Sequence, residues 1–392
     1  MKKRLSKLNA WLHLWLGIVT GIPVVLISLT GCILVFEQEI RMWTTDYIAV
    51  EEKTADEQLA PSVLYKSIKQ AFPEKEAESF WYNGLNRSVK VNLHDSDSIL
   101  YVNPYNAEVL ATAHHEDFFH FIDEGHRHLW FPGKIGKKVV GYSTLIFFSL
   151  LITGIILWWP KKWNKRSAKQ SFFINWKARF KRINYDLHNV LGFYSLLLAL
   201  LMSLTGLVMS FPWMRQSIVW LSGGYPPRPK TEVKKADEGQ KIAFTLEEDL
   251  QKADKIWFTV RKEIALHNKE AVIIHIPEGD DKTIYSCTDM HAGSWRDLSF
   301  DRETLALTPR TQKKIGDSNR TEWLMRNNYA LHTGFIGGMT TKILYFLASL
   351  ICASLPITGF YIWWGKKRKK TNTRKDHPGK SVKRTKTVLQ GT

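Results

Sequence analysis

Four long apolar runs limit what this chain can fold into. They lie at about Leu8 to Phe36, Val139 to Trp159, Leu187 to Phe211 and Thr340 to Trp364, and none carries a charged residue in its central part. A helix rises ~1.5 Å per residue, so about 20 apolar residues cross a hydrocarbon core ~30 Å thick. One such run suits a buried helix of a soluble protein; four of full spanning length do not. The mean hydropathy of −0.22 conceals them because the segments between are strongly polar. Lys2, Lys3, Arg4 and Lys7 precede the first run as they would a secretory signal. Its apolar stretch is too long for one, and Phe36-Glu37-Gln38-Glu39 follows in place of a small-residue cleavage site. It reads as an uncleaved span.

Charge orients the spans. Between runs two and three stand Lys161, Lys162, Lys165, Arg166, Lys169, Lys177, Arg179, Lys181 and Arg182, with no acid before Asp186. After run four comes Lys366-Lys367-Arg368-Lys369-Lys370. Short loops rich in Lys and Arg stay in the cytoplasm, which puts both termini and the middle loop inside. The net charge of +18 resides mostly in these segments. It therefore points to anionic lipid headgroups of the bilayer and not to nucleic acid. The three cysteines give no disulfide framework, and no C-x-x-C-H, P-loop or G-x-G-x-x-G after a strand is present.

The expected order is a span over 8–40, an outer domain over 41–137, a span over 138–160 and a basic cytoplasmic loop over 161–184. A span over 185–212, a second outer domain over 213–337, a span over 338–365 and a basic cytoplasmic tail over 366–392 complete it. The first outer segment opens with a helix, Pro61 to Phe72. Strands follow at Ser79 to Tyr82, Ser88 to Leu93 and Ile99 to Asn103, then a turn at Pro104 to Ala107 and a strand from Glu108 to Ala111. The second repeats this loosely: a helix near Leu246 to Leu266, then strands at Ala271 to Ile276, Thr283 to Cys287, Trp295 to Phe300 and Leu305 to Thr308. Both read as small α+β units.

The spans repeat too. His13, Gly17 and Ser28-Leu29-Thr30-Gly31 recur as His188, Gly192 and Ser203-Leu204-Thr205-Gly206, at a constant offset of 175 (188 minus 13). His128, Phe131 and Gly133 parallel His332, Phe335 and Gly337, and Thr153-Gly154 with Trp158-Trp159 parallel Thr358-Gly359 with Trp363-Trp364, given one insertion. The fold class is a membrane four-helix bundle made from a duplicated two-helix unit, with two outer α+β domains. Parallel copies imply a pseudo-two-fold axis along the membrane normal.

Four histidines thus occupy repeat-equivalent places near span ends. His13 and His188 fall at the cytoplasmic edge, His128 and His332 at the outer edge. Neutral imidazole is an axial ligand for haem iron, and a haem between two helices takes one from each. Gly31 and Gly206, 18 residues beyond His13 and His188, return to the same helix face after five turns and leave room for a flat macrocycle. About 17 residues at ~1.5 Å separate the two levels by ~25 Å. His126 rivals His128 two residues away; alignment with His332 favours His128. His114, His115 and His120, with Glu116, Asp117, Asp123 and Glu124, form an outer cluster of possible metal ligands or simply a polar loop. His94, His267, His275 and His291 read as surface or core residues. Trp158, Trp159, Trp163, Trp363 and Trp364 suit an interfacial aromatic belt.

Paired His-bearing spans, with T-G-x-x-x-W-W at the inner ends of the second and fourth, resemble the PepSY-associated transmembrane family, whose members include iron-regulated membrane proteins and ferric-siderophore reductases. Ile99 to Leu110 resembles the end of a PepSY repeat, although Asn103 and Ala107 replace the usual Asp and Gly of its turn. The resemblance implies a bacterial inner-membrane location and periplasmic PepSY-like domains. It implies two b-type haems, the inner held by His13 and His188 and the outer by His332 with His128 or His126. The implied activity is transfer of electrons from a cytoplasmic or quinol donor to a periplasmic ferric chelate; the alternative is a membrane-anchored binding protein that modulates peptidases. Some relatives carry a fused flavin domain, which this chain lacks.

Overall fold

The computed structural model describes residues 2–224, 244–265, 270–288 and 294–375. Helices α1 (Lys2–Val19) and α2 (Gly21–Leu34) lead through α3 (Glu37–Thr44) to α4 (Pro61–Ala71) and strands β1 (Ala77–Tyr82), β2 (Val89–Leu93), β3 (Ser98–Val102) and β4 (Val109–His114). A short helix α5 (Phe118–His128) returns the chain to the apolar region and α6 (Gly133–Trp158) crosses it. The basic loop holds α7 (Lys165–Phe172). Then α8 (Phe180–Asp186), a π turn at Leu187–Leu191 and α9 (Gly192–Ser210) run nearly end to end. After α10 (Pro212–Leu221) come α11 (Leu246–Thr259), β5 (Val272–His275), β6 (Thr283–Thr288), β7 (Arg296–Asp301), α12 (Arg320–Arg326), α13 (Asn328–Thr333) and α14 (Gly338–Lys375).

Three helical stretches are long and apolar enough to cross a membrane: Gly133–Trp158, Phe180–Ser210 and Phe335–Gly365. The fourth candidate is not one straight rod. It is the pair Arg4–Val19 and Gly21–Leu34, bent by 63°. The bend falls at Thr20, whose hydroxyl bonds the Leu16 carbonyl (2.8 Å) instead of reinforcing the next turn. Gly21 and Pro23 follow; proline has no N–H to give the carbonyl four residues back and so kinks a helix. Helix α14 tolerates its own Pro356 and runs without interruption into the basic tail. The expected tail from residue 376 onward lies outside the described residues.

The strands form where alternation called for them, but the two outer segments do not make two separate units. Their seven strands form one antiparallel sheet in the order β4-β3-β2-β1-β5-β6-β7. The seam is β1 with β5, where Phe80 faces Ile274 and Tyr82 faces Val272. One apolar core runs across the seam: Leu64 and Ile68 of α4, Leu250 and Ile256 of α11, and Phe80, Val91, Leu100, Ile274, Ile284 and Leu298 of the sheet. A central strand must be apolar on its packed face, and Phe80 is fully buried there. Truncating Phe80 to alanine is expected to cost about 3–5 kcal/mol and to lower the thermal midpoint of the whole sheet domain, followed by circular dichroism near its sheet band. The expected strand at Leu305 to Thr308 is reduced to a single bridge, Phe300 with Leu307.

Trp158 also departs from the interfacial role. It is buried, stacked on Phe193 with ring centres 4.1 Å apart, and its indole N–H donates to the Ser171 carbonyl (3.3 Å). Trp159 and Trp163 are exposed.

Candidate functional site

Two histidine pairs lie in the helical region. In one, farther from the sheet, the ring centres of His13 and His188 are 6.5 Å apart with planes at 87°. In the other, nearer the sheet, His126 and His332 are 6.1 Å apart with planes at 63°. The partner of His332 is therefore His126, and the alignment that favoured His128 is corrected. Nδ1 of His128 instead bonds Glu124 (3.0 Å). Its backbone lies so close to α6 that a Cβ on Gly136 would come within 2.3 Å of the His128 carbonyl. The physical reason for the error is one extra residue in the first copy. His126 stands seven positions before the glycine that opens α6, Gly133, and His332 six before Gly338, which opens α14. Anchoring the alignment on the Phe-x-Gly spacing placed that insertion on the wrong side.

Each imidazole is held in the same way. Nδ1 of His13 reaches Thr153 Oγ1 (2.9 Å) and that of His188 reaches Thr358 Oγ1 (2.9 Å). Nδ1 of His126 reaches Thr30 Oγ1 (3.1 Å), and that of His332 reaches Thr205 Oγ1 (3.0 Å). The hydroxyl of each threonine already donates to a carbonyl one turn back: Thr153 to Leu150, Thr358 to Ser354, Thr30 to Leu26 and Thr205 to Leu201. The oxygen can then only accept, so Nδ1 carries the proton. For His126 and His332 a second acceptor enforces this, the carbonyls of Ile27 and Met202 at 3.0 Å. A neutral imidazole protonated at Nδ1 presents a bare lone pair at Nε2. Among the described residues no hydrogen bond engages Nε2 in any of the four.

The residue after each threonine is glycine, and the imidazole occupies the space a side chain would take. A Cβ would lie 3.2–3.3 Å from the ring Cε1: Gly154 against His13, Gly359 against His188, Gly31 against His126 and Gly206 against His332. Each Thr-Gly dipeptide is thus a socket, with the hydroxyl fixing the tautomer and the glycine admitting the ring. The space over Gly31 and Gly206, expected to admit a macrocycle, is taken up by His126 and His332. The 63° bend at Thr20 lies between His13 and Gly31.

Local structure positions the four rings. His188 sits in the π turn Leu187–Leu191; such single wide turns recur at functional sites because they re-aim one side chain. Helix α5, which carries His126, begins on the Asp117 side chain, which accepts from the His120 amide (2.9 Å) and pairs with Arg41 of α3. It ends with Leu129 and Trp130, both in the left-handed region. Trp130 folds back to stack on Phe121 and donates to the Phe121 carbonyl (2.9 Å). It lies so close to Gly125 that a Cβ there would come within 2.2 Å.

The chain belongs to the PepSY-associated transmembrane family. Its profile, described as the PepSY-associated TM region, matches residues 10–366. That stretch contains all four paired histidines and both outer segments. No curated protein matches the chain. The family assignment makes it a multi-pass membrane protein, in accord with its apolar helices and separate sheet domain.

The outer acidic and histidine cluster is spread over the end of β4, the link at 115–117 and helix α5. Among the described residues no group of three or more His, Cys, Asp or Glu side chains could hold a metal ion. His115 and His120 pack edge to face, 5.1 Å between ring centres, and Asp117 is used as a helix cap. His94 bonds Glu278 across the seam between the two segments (3.0 Å) and is half exposed. His275, partly buried in the sheet, has its pKa lowered by that burial. His267 and His291 lie outside the described residues.

Each pair could supply two protein ligands, a set that would suit a metal whose remaining ligands come from a macrocycle. A metal ion bonds an imidazole nitrogen at about 2.0–2.1 Å. The rings of each pair, with centres 6.5 and 6.1 Å apart, are near enough that one ion could be shared between them. The tautomer fits as well, since metal-bound histidine donates its other N–H to a fixed acceptor. Replacing Thr205 by valine keeps the volume and removes one of the two acceptors of His332, leaving the Met202 carbonyl. The expected result is a 10–100-fold loss of ligand affinity at that pair, read by titrating haem into the purified protein, with the His13–His188 pair unaffected.

Proposed function

We propose that this protein binds two b-type haems, one between His13 and His188 and one between His126 and His332, and carries electrons across the membrane to a ferric chelate. The observation that supports this is the facing of four imidazoles in two pairs, each ring held through Nδ1 by a threonine hydroxyl or a backbone carbonyl. Bound haem supplies one-electron redox chemistry at each level. The protein's part is to present Nε2 of each histidine, to hold its tautomer through threonine and to keep water away from the rings. Against a role confined to binding by the sheet domain stands the fourfold His-Thr-Gly arrangement, which such a role does not use.

The excess of Lys and Arg in the 161–184 loop and the tail favours an inner-membrane topology with both termini cytoplasmic and the sheet domain periplasmic. The His13–His188 pair then lies toward the cytoplasm, where a soluble reductant or a quinol donates. The His126–His332 pair lies toward the sheet domain, where the acceptor docks. One electron reduces one ferric ion to ferrous. The softer, less charged ion is held more weakly by hard oxygen ligands, so the chelator lets go. The test is a dithionite-reduced minus oxidised spectrum of the purified full chain, with haem quantified by pyridine haemochrome. Two b-type haems per chain and reoxidation by ferric chelate are expected; a colourless protein overturns the reading.

A further inference from the structure

Asparagine precedes three of the four histidines by one helical turn. Nδ2 of Asn9 donates to the Thr153 carbonyl (3.2 Å), that of Asn184 to the Thr358 carbonyl (3.0 Å) and that of Asn328 to the Thr205 carbonyl (3.2 Å). These are the threonines that hold His13, His188 and His332. Residues i and i+4 share a helix face, so each of these helices is pinned to its partner helix at two points, the imidazole on the hydroxyl and the amide on the carbonyl. The carbonyl has a second lone pair for this purpose, and the glycine that follows leaves the approach open. At the fourth site the place of asparagine, four residues before His126, is taken by Ile122, a buried side chain with nothing to donate. Helix α5 meets the bundle through the His126 imidazole on Thr30 and the Ile27 carbonyl, with no amide beside it to make the second point. Its further polar anchor lies at its other end, where Asp117 pairs with Arg41 of α3 and a short link leads to β4.

We propose that Asn9, Asn184 and Asn328 are positioning residues that fix their histidines, and that His126, lacking one, is the adjustable ligand, able to move with the sheet domain. The consequence for redox chemistry rests on the haem reading; the mechanical asymmetry does not. It is tested by hydrogen exchange of the full chain in nanodiscs, comparing peptides over 118–128 with those over 320–333. Exchange in α5 around His126 is expected to be about tenfold or more faster than in α13 around His332, because a missing tether lowers the local opening free energy. Asn328→Leu is expected to bring α13 to the α5 rate, and Ile122→Asn to slow α5. Equal protection in the unaltered protein, or an α13 indifferent to Asn328→Leu, overturns the proposal even if Ile122→Asn fails to fold. Where haem is bound, Asn9→Leu or Asn184→Leu should convert only the His13–His188 signal from low to high spin, and Asn328→Leu only the other; a purely structural role would alter both or neither. Absence of haem bands in the unaltered protein defeats the haem reading and leaves the exchange result to decide the clamp.

Discussion

Alanine at position 126 is expected to abolish ligation at the sheet-proximal pair, while alanine at position 128 leaves it intact. His126 faces His332 at 6.1 Å and gives its Nδ1 proton to the Ile27 carbonyl and Thr30, whereas His128 is occupied by Glu124 and packed against α6. Among the described residues no other imidazole stands beside His332 in place of His126. On the proposed haem reading, His126→Ala should therefore retain about half the haem of the unaltered chain, all of it at the His13–His188 pair, because a site with one protein ligand would bind far more weakly than one with two. His128→Ala should retain the full complement. Haem-to-protein ratios and low-spin signals of the two purified variants decide the matter. A reversed pattern would mean that the one-residue insertion between copies has been misplaced.

The second large effect concerns the sheet domain. Asp249 and Arg302 are each about 4% exposed and joined by two bonds, 2.9 and 2.7 Å. Arg302 further donates to the carbonyls of Gly279 and Asp281 (2.9 and 2.7 Å), tying α11 to the turn between β5 and β6. Asp249→Ala strands a buried guanidinium, which costs about 3–5 kcal/mol. Both residues belong to the second outer segment, yet that segment shares a sheet and a core with the first. Limited proteolysis should therefore find β1 to β4 opening together with β5 to β7. If cleavage accelerates only within residues 244–301, the β1–β5 seam is not the cooperative joint inferred from its burial.

Much of this architecture was legible in the residues. The spans follow from length and apolarity, and the strands from alternation such as Val89, Val91 and Leu93. The duplication follows from the constant offset of His13 and Thr30 to His188 and Thr205. What escaped was non-local. The pairing of β1 with β5 joins segments nearly two hundred positions apart (272 minus 82 at the seam), and no pattern in either strand announces a partner at that separation. The bend in the first span had a visible cause, Gly21 and Pro23, outweighed by the unbroken apolarity around them. The Thr-Gly pairs were noticed as a repeat, but their hydroxyls were not assigned, because a threonine in a span ordinarily bonds its own helix. The asparagines at 9, 184 and 328 carried a signal too, N-x-x-x-H three times. It acquires meaning only when the opposing carbonyl is known.

The sockets and the pairs divide the molecule differently. Each of the four paired histidines rests on a threonine from its own copy: His13 on Thr153, His126 on Thr30, His188 on Thr358 and His332 on Thr205. Every pair, however, joins one copy to the other. Half of this chain is thus a complete set of cradles with nothing to close them. A single copy would present both sockets and complete neither pair, so the two pairs exist only where the copies face each other.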